Sequence, residues 1–468
     1  MSCQTYIVFA SLDTVSEHDV GAGLVPVFVI GAGPSGLAAA YRLHQAGRRV
    51  VVLESRDRVG GQLLSVRRDG FLMEAGTTIL PEAYGSVMQL VRDLGMENEL
   101  IAANSLMGFM RDGQMHHLRA DKLALDAART KLLSLRSKLK VAKLVLDTWK
   151  LRKLLSYEDL SVAGKYDVET PAEYCKRRGL DGELYDYLIE PTVRGGAGVP
   201  AEVISVVEFF FLWQKVLGTK LYAFRDGYSA FPERLAAALP DVRLNCNAVQ
   251  VVETGSGSSA GVEVTYDGPN GQVTERGAGA VVSSMGTTVP DLVPQLDPDR
   301  AKFLRELNYT STVSVNLALS RVPECPAAFV VVPKPVSEGL FAIILEHHKV
   351  AGRAPAGKGL ISLFFMNQWA VDRMDASDEE ILADALREAE KVLPGVGADV
   401  EFSRINRWFP VLVYSHPGLY RKLGEFHASR DLSSRIHLAG SYNSSGNVNT
   451  ATTAGERAAR ELLAVLSR

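Results

Sequence analysis

Three glycines at a fixed spacing, Gly31-x-Gly33-x-x-Gly36, are followed 23 residues after the first by an acid, Glu54. Such a pattern suits the capture of a dinucleotide. Gly31 permits a tight turn, Gly33 lets a pyrophosphate approach the backbone, and Gly36 allows close packing of the segment that follows. Glu54 stands where a ribose hydroxyl needs an acceptor, and its charge repels a 2′-phosphate. Other chemistry is poorly provided for. Cys3, Cys175, Cys246 and Cys325 are scattered with no CxxC pair, and the nine histidines are dispersed except for His116-His117 and His347-His348. Neither a disulfide scaffold nor a metal site is expected, and no Ser/His/Asp or Cys/His arrangement marks a nucleophile.

The elements that must hold these glycines can be read around them. Val25 to Ile30 is an apolar run of strand length, Leu37 to Ala46 has helical composition and ends at Gly47, and Arg49 to Leu53 is a second strand reaching Glu54. Together they predict a βαβ unit whose helix N-terminus turns its free N–H groups and dipole towards phosphates. The whole chain has 468 residues, 47% hydrophobic and 22% charged, which allows two or three domains and excludes wholesale disorder. A net charge of -3 gives no global sign of nucleic-acid binding. No uncharged apolar stretch approaches the roughly 20 residues of a membrane-spanning helix. Residues 1–24 lack a basic start and read as a loose extension, a poor secretory signal. A soluble protein of a reducing, cytoplasmic compartment is expected.

Two further passages carry a resemblance. After Glu54 come Arg58-Val59-Gly60-Gly61-Gln62 and Gly70-Phe71-Leu72-Met73-Glu74-Ala75-Gly76. Near the C-terminus come Ala439-Gly440-Ser441 and Gly446-Asn447-Val448, before a helix expected from about Asn449 to Leu466. The chain resembles the FAD-dependent clan of protoporphyrinogen oxidases, phytoene desaturases and flavin monoamine oxidases, nearest the protoporphyrinogen-oxidase-like branch. The resemblance implies an α/β fold, with a Rossmann-like FAD-binding domain of the GR2 type interleaved with an α+β substrate-binding domain. It places 25–85, 220–285 and 402–468 in the FAD domain, and 86–219 with 286–401 in the substrate domain. FAD is implied at Gly31, Gly33, Gly36, Glu54, Arg58, Gly60, Gly61, Gln62, Gly76, Val249, Gly440, Ser441, Gly446 and Val448, with Val249 on the adenine. The C-terminal helix N-terminus faces the flavin's pyrimidine edge. Gln62 replaces the clan's usual arginine and Ser441 its usual acid. With no cysteine near Gly446, the cofactor is expected to be non-covalent.

For the reaction, the resemblance implies flavin chemistry on a small molecule. Trp408 and Tyr414 are candidates to wall the site, and His416 to handle protons. Arg194 meets an acidic group of the substrate or pairs with Glu190; its sequence leaves both open. The stretch from Tyr309 to Ala318 contains no lysine, whereas many amine oxidases of the clan carry one there. This favours oxidase or desaturase chemistry on an apolar, polycyclic or isoprenoid substrate over amine oxidation. A mutase-like flavoprotein and a flavin-free binding protein of the same fold are the remaining alternatives. Residues 129–155 hold nine Lys/Arg and one acid, with Leu132, Leu135, Leu139, Ala142, Val145 or Leu146, and Trp149 at helical spacing. Such a helix lies on anionic lipid, or packs its leucines on the substrate domain with its charges solvated. Between 242 and 284 alternation around turn signals predicts an antiparallel meander, and Ser377 to Glu380 predicts a capping box.

Overall fold

The computed structural model describes residues 25–216 and 218–468, so the extension 1–24 lies outside the described residues. Val27–Ile30 (β1), Pro34–Gln45 (α1) and Val50–Leu53 (β2) form the βαβ unit, and every residue of both strands is buried. α1 begins before Leu37 because Gly33 serves as its N-cap and Pro34 fills the first turn, where a missing N–H costs nothing. Val242–Arg243 (β3), Gly279–Val282 (β4) and Ile436–Leu438 (β5) join them in a parallel sheet of order β3-β2-β1-β4-β5. That is the doubly wound order of dinucleotide-binding sheets, drawn here from three distant parts of the chain. Between β3 and β4 the strands Asn247–Thr254, Gly261–Gly268 and Gly271–Gly277 make the antiparallel meander.

A second sheet has seven strands. Its order is Val400–Trp408, Thr312–Leu319, Gly359–Phe365, Leu340–Leu345, Phe329–Val331, Leu106–Arg111 and Gln114–Arg119. The expected border at 402 falls inside Val400–Trp408, which pairs with Thr312–Leu319 along nearly its whole length. That ladder, shifted in register only between Ala318 and Leu319, keeps the strand in the second sheet as far as Trp408. Helix Asp378–Glu390 opens with the capping box of Ser377 and Glu380 and covers this sheet with Ile381, Ala385 and Ala389.

Three more helices matter for function. Leu135–Leu151 (α2) starts at Ser134, whose side chain accepts from the Ser137 N–H. Its buried residues are Ser137, Leu144, Thr148 and Leu151. Of the row that sequence offered either to lipid or to the substrate domain, Leu132 just before the helix is buried, whereas Leu135 is 74% exposed, Leu139 70%, Leu146 58% and Trp149 59%. The inward side is set by Asp147, which accepts from Tyr174 OH at 3.0 Å and Arg178 Nε at 2.7 Å. Val206–Val216 (α3) is the apolar helix of the large core. Val448–Leu466 (α4) lies against α1 so closely that a Cβ on Gly455 would fall 2.0 Å from Ser35 O.

Candidate functional site

Gly31 ends β1 with φ +96°, a conformation that L side chains rarely adopt. A Cβ on Gly36 would lie 1.9 Å from Gly31 O, so α1 springs directly from the turn. Ser283, just beyond β4, locks the same turn by donating Oγ–H to Ile30 O at 2.6 Å. Glu54 is buried; its Oε2 accepts from Ala32 N at 2.8 Å and its Oε1 from Arg56 N at 3.0 Å. The carboxylate thus braces the loop and keeps lone pairs for a further donor. Ser35 Oγ, at the start of α1, is buried with no protein partner.

The second glycine pair meets the first. Gly60 (φ +100°) donates its N–H to Ala32 O at 2.8 Å, and a Cβ on Gly61 (φ +56°) would stand 3.2 Å from Gly33 Cα. Arg58 Nη2 donates to Gly61 O at 2.8 Å. Gly76 is pressed on Gln62, whose carbonyl O would sit 1.9 Å from an added Cβ. The Gln62 amide donates to Pro410 O and Val411 O, each at 3.0 Å. Trp408 Nε1 donates to Ala75 O at 2.6 Å, and the guanidinium carbons of Arg56 and Arg58 lie 5.5 and 5.9 Å from its ring. The passage after Trp408 is thereby brought against the glycine motifs.

The C-terminal motif closes on the same passage. A Cβ on Gly446 would meet Val413 O at 2.6 Å. Gly440 has φ +144° and packs against the Tyr442 ring, with Ser441 next to it opening a single turn to Asn443. Asn447 caps α4 by accepting from Thr450 N at 2.8 Å, and Thr450 Oγ1 is buried with no protein partner. Val448 packs partly buried on the parallel-sheet core. Asn449 Oδ1 accepts from Ser86 N and Val87 N, fixing the helix Gly85–Asp93 beside α4.

The family described as flavin-containing amine oxidoreductase matches residues 34–463. The chain belongs to it. This flavin-containing amine oxidoreductase is 33% identical over 188 residues to a mitochondrial protoporphyrinogen oxidase of Nicotiana tabacum, covering 39% of this chain and 35% of that protein. It is 23% identical over 434 residues to the coproporphyrinogen III oxidase of Bacillus subtilis, covering 85% and 89%. The alignments span little more than a third of the two plant protoporphyrinogen oxidases it matches. Putrescine oxidase bound to putrescine shares the fold with a TM-score of 0.76 at 19% identity, over 94% of this chain and 99% of that one. Cyclohexylamine oxidase of Brevibacterium oxydans does so with 0.75 at 19%, over 95% and 100%.

The cofactor of this family of oxidoreductases is FAD, and the residues present fit it. Two buried hydroxyls without partners, Ser35 Oγ and Thr450 Oγ1, stand at the starts of the two helices that would receive the dinucleotide, amid glycines that leave no room for side chains. Val249 falls at a register shift of its strand, 40% exposed, three residues after Cys246, whose N–H donates to Glu54 O at 2.8 Å. Tyr414 is half-buried, its N–H donating to Asn308 O, and His416 Nδ1 faces Asn308 Nδ2 at 3.5 Å. Arg194 is 1% exposed in the helix Glu190–Ala197. It donates to Ser337 O and Glu338 O at 2.9 and 2.8 Å, with Glu190 3.6 Å away. The structure therefore groups Trp408 with the glycines and seats Arg194 beside Glu190.

Sequence reading missed Ser283, which only the pairing of β4 with β1 brings to the turn. It also missed Asn447, although an asparagine before a helix is a legible cap. The strand Thr312–Leu319 carries no lysine, but the buried Lys349 reaches the segment after Gly76 from another element. It donates to Thr78 O at 3.1 Å and is paired with Glu346 at 2.5 Å.

Proposed function

We propose that this flavoprotein takes a hydride from an apolar, polycyclic small molecule of the porphyrinogen kind onto non-covalently held FAD. The observation that carries the reading is the convergence of both glycine motifs, Trp408 and the capped start of α4, around a strand that brings no lysine. FAD supplies the two-electron acceptor. The chain's own part is to bind and orient. α1 and Ser35 would take the pyrophosphate and Glu54 the ribose, and the positive N-terminus of α4 would favour negative charge on the flavin. Trp408 and Tyr414 wall the substrate side. His416, whose Nδ1 faces the Asn308 Nδ2 donor, carries its hydrogen on Nε2 in the neutral ring and can donate it there. The names of the plant and bacterial relatives, protoporphyrinogen and coproporphyrinogen III oxidases, support a tetrapyrrole substrate.

The test is anaerobic reduction of the purified yellow protein. Acid denaturation is expected to release intact FAD, and a porphyrinogen is expected to bleach the flavin where putrescine does not. Bleaching by the amine alone would transfer the protein to amine oxidation, as its structural neighbours' names suggest for them. Activity only after dithionite would mean a mutase, and a colourless protein that takes up no added FAD would mean a binding protein.

Among the described residues no helix is long and apolar enough to cross a membrane. We propose that the protein works in the cytoplasm and rests peripherally on anionic membrane through the outward stripe of α2.

A further inference from the structure

α3 begins Val-Val-Glu-Phe-Phe-Phe, an apolar run with one acid, Glu208. Ser205 stands three residues earlier, so the pattern is that of a capping box in which Glu208 reaches back to the Ser205 N–H. The structure has a different arrangement. The Ser205 N–H donates to Ser415 O at 2.5 Å. Glu208 is 5% exposed and its carboxyl meets three hydroxyls from elsewhere. Ser445 Oγ donates to Oε1 at 2.6 Å, Ser415 Oγ donates to Oε2 at 3.4 Å, and the Tyr420 OH also donates to Oε2. No cation offsets it among the described residues; burial pushes its carboxyl up, and nearby Asp167 pushes the same way. An acid buried without a counter-charge is costly, and an apolar residue would suit this helix better. Its partners explain its presence. Ser415 belongs to the passage with Trp408, Tyr414 and His416, and Ser445 lies two residues before Asn447, the cap of α4.

We propose that Glu208 is a positioning residue of the FAD site: its carboxyl fixes Ser445 and Ser415 together, and so sets where the N-terminus of α4 points. The inference rests on FAD binding by this chain and deepens that reading. Glu208→Leu, Glu208→Gln and Ser445→Ala are compared with wild type by titrating FAD into the apoproteins and by measuring the potential of the bound flavin. Glu208→Leu is expected to weaken FAD by about tenfold. Its flavin potential becomes more negative, because a misaimed helix dipole stabilises the reduced, anionic flavin less. Glu208→Gln keeps one accepting oxygen and reverses the other contact, its amide N–H donating to a hydroxyl oxygen that turns its own hydrogen away, and stays within about twofold of wild type. Adding Ser445→Ala to Glu208→Leu causes less further loss than Ser445→Ala alone, because the two act through one bond. Affinity and potential unchanged in Glu208→Leu, even with a lowered melting temperature, would overturn the inference. If Glu208→Leu does not fold, Ser445→Ala decides alone, and wild-type affinity and potential in that variant overturn it equally. Wild-type protein that takes up no FAD overturns the cofactor reading together with this one.

Discussion

Glu190 and Arg194 lie one helical turn apart, both buried, with 3.6 Å between Glu190 Oε1 and Arg194 Nε. Burial pushes the Glu190 carboxyl up to about 7, against the guanidinium of Arg194, which pulls it down. An acid raised in the folded state binds its proton more tightly there than in the unfolded chain. Its favourable contribution is complete below the ordinary value of 4.5 and is lost as pH rises through about 7. Urea midpoints measured between about pH 4 and 8 should therefore fall with rising pH, and Glu190→Gln should flatten that fall. Wild-type and variant curves of equal slope would mean that Glu190 is already charged in the folded protein. Such an assignment needs the three-dimensional partners. Sequence left Arg194 open between an acidic group of the substrate and Glu190, and only the carbonyls of Ser337 and Glu338 reveal that Arg194 is tied into the interior.

At the scale of elements, α2 presents Leu135, Leu139, Leu146 and Trp149 to solvent, among Arg136, Lys138, Lys140, Lys143, Lys150 and Arg152. Apolar side chains in a row, rimmed by cations, match the boundary of an anionic bilayer. The protein should co-sediment with phosphatidylserine-containing vesicles, less so as salt rises, and not with neutral ones. Leu139→Glu together with Trp149→Glu should lower that binding by about tenfold or more while leaving flavin reduction unchanged. Binding that ignores lipid charge would leave α2 a solvated helix. The existence of α2 was legible from its period, but its orientation was not, because Leu144, Thr148 and Leu151 form an equally helical row. The βαβ unit was legible throughout because its signals are local. The membership of Val400–Trp408 was not, since its partner Thr312–Leu319 is far upstream and no composition change marks the border.

Across the whole molecule, the seven-stranded sheet is joined to the two-stranded sheet of Ser65–Arg68 and Phe71–Glu74 where Glu74, the acid of the motif ending at Gly76, enters the interior. Arg353 Nη1 stands 3.1 Å from Glu74 Oε1, both side chains fully buried, and Arg353 Nη2 donates to Phe224 O at 2.9 Å. Lys349 and Glu346 form a second buried pair close by. Ser362 Oγ donates to Glu346 Oε1 at 3.2 Å, and Asn316 Nδ2 donates to Glu74 O at 3.2 Å. Ser362 and Asn316 belong to the seven-stranded sheet, so two acids and two bases, balanced in charge, lock it to the strand Phe71–Glu74. Burial raises the Glu74 carboxyl, and Arg353 and Lys349 work to keep it charged. Removing one partner of such a pair exposes the full desolvation cost of the other, whereas removing both is close to neutral. Arg353→Met should thus lose about 3–5 kcal/mol in urea unfolding, and Glu74→Leu with Arg353→Met should recover much of it. Because Gly76 and its contact with Gln62 follow Glu74 directly, FAD affinity should fall in the single variant alongside stability. A single variant as stable as wild type would show that the sheets are held by their apolar contacts alone. Recovery in the double variant, with FAD still bound, would instead assign the quartet to matching the two sheets rather than to net stability.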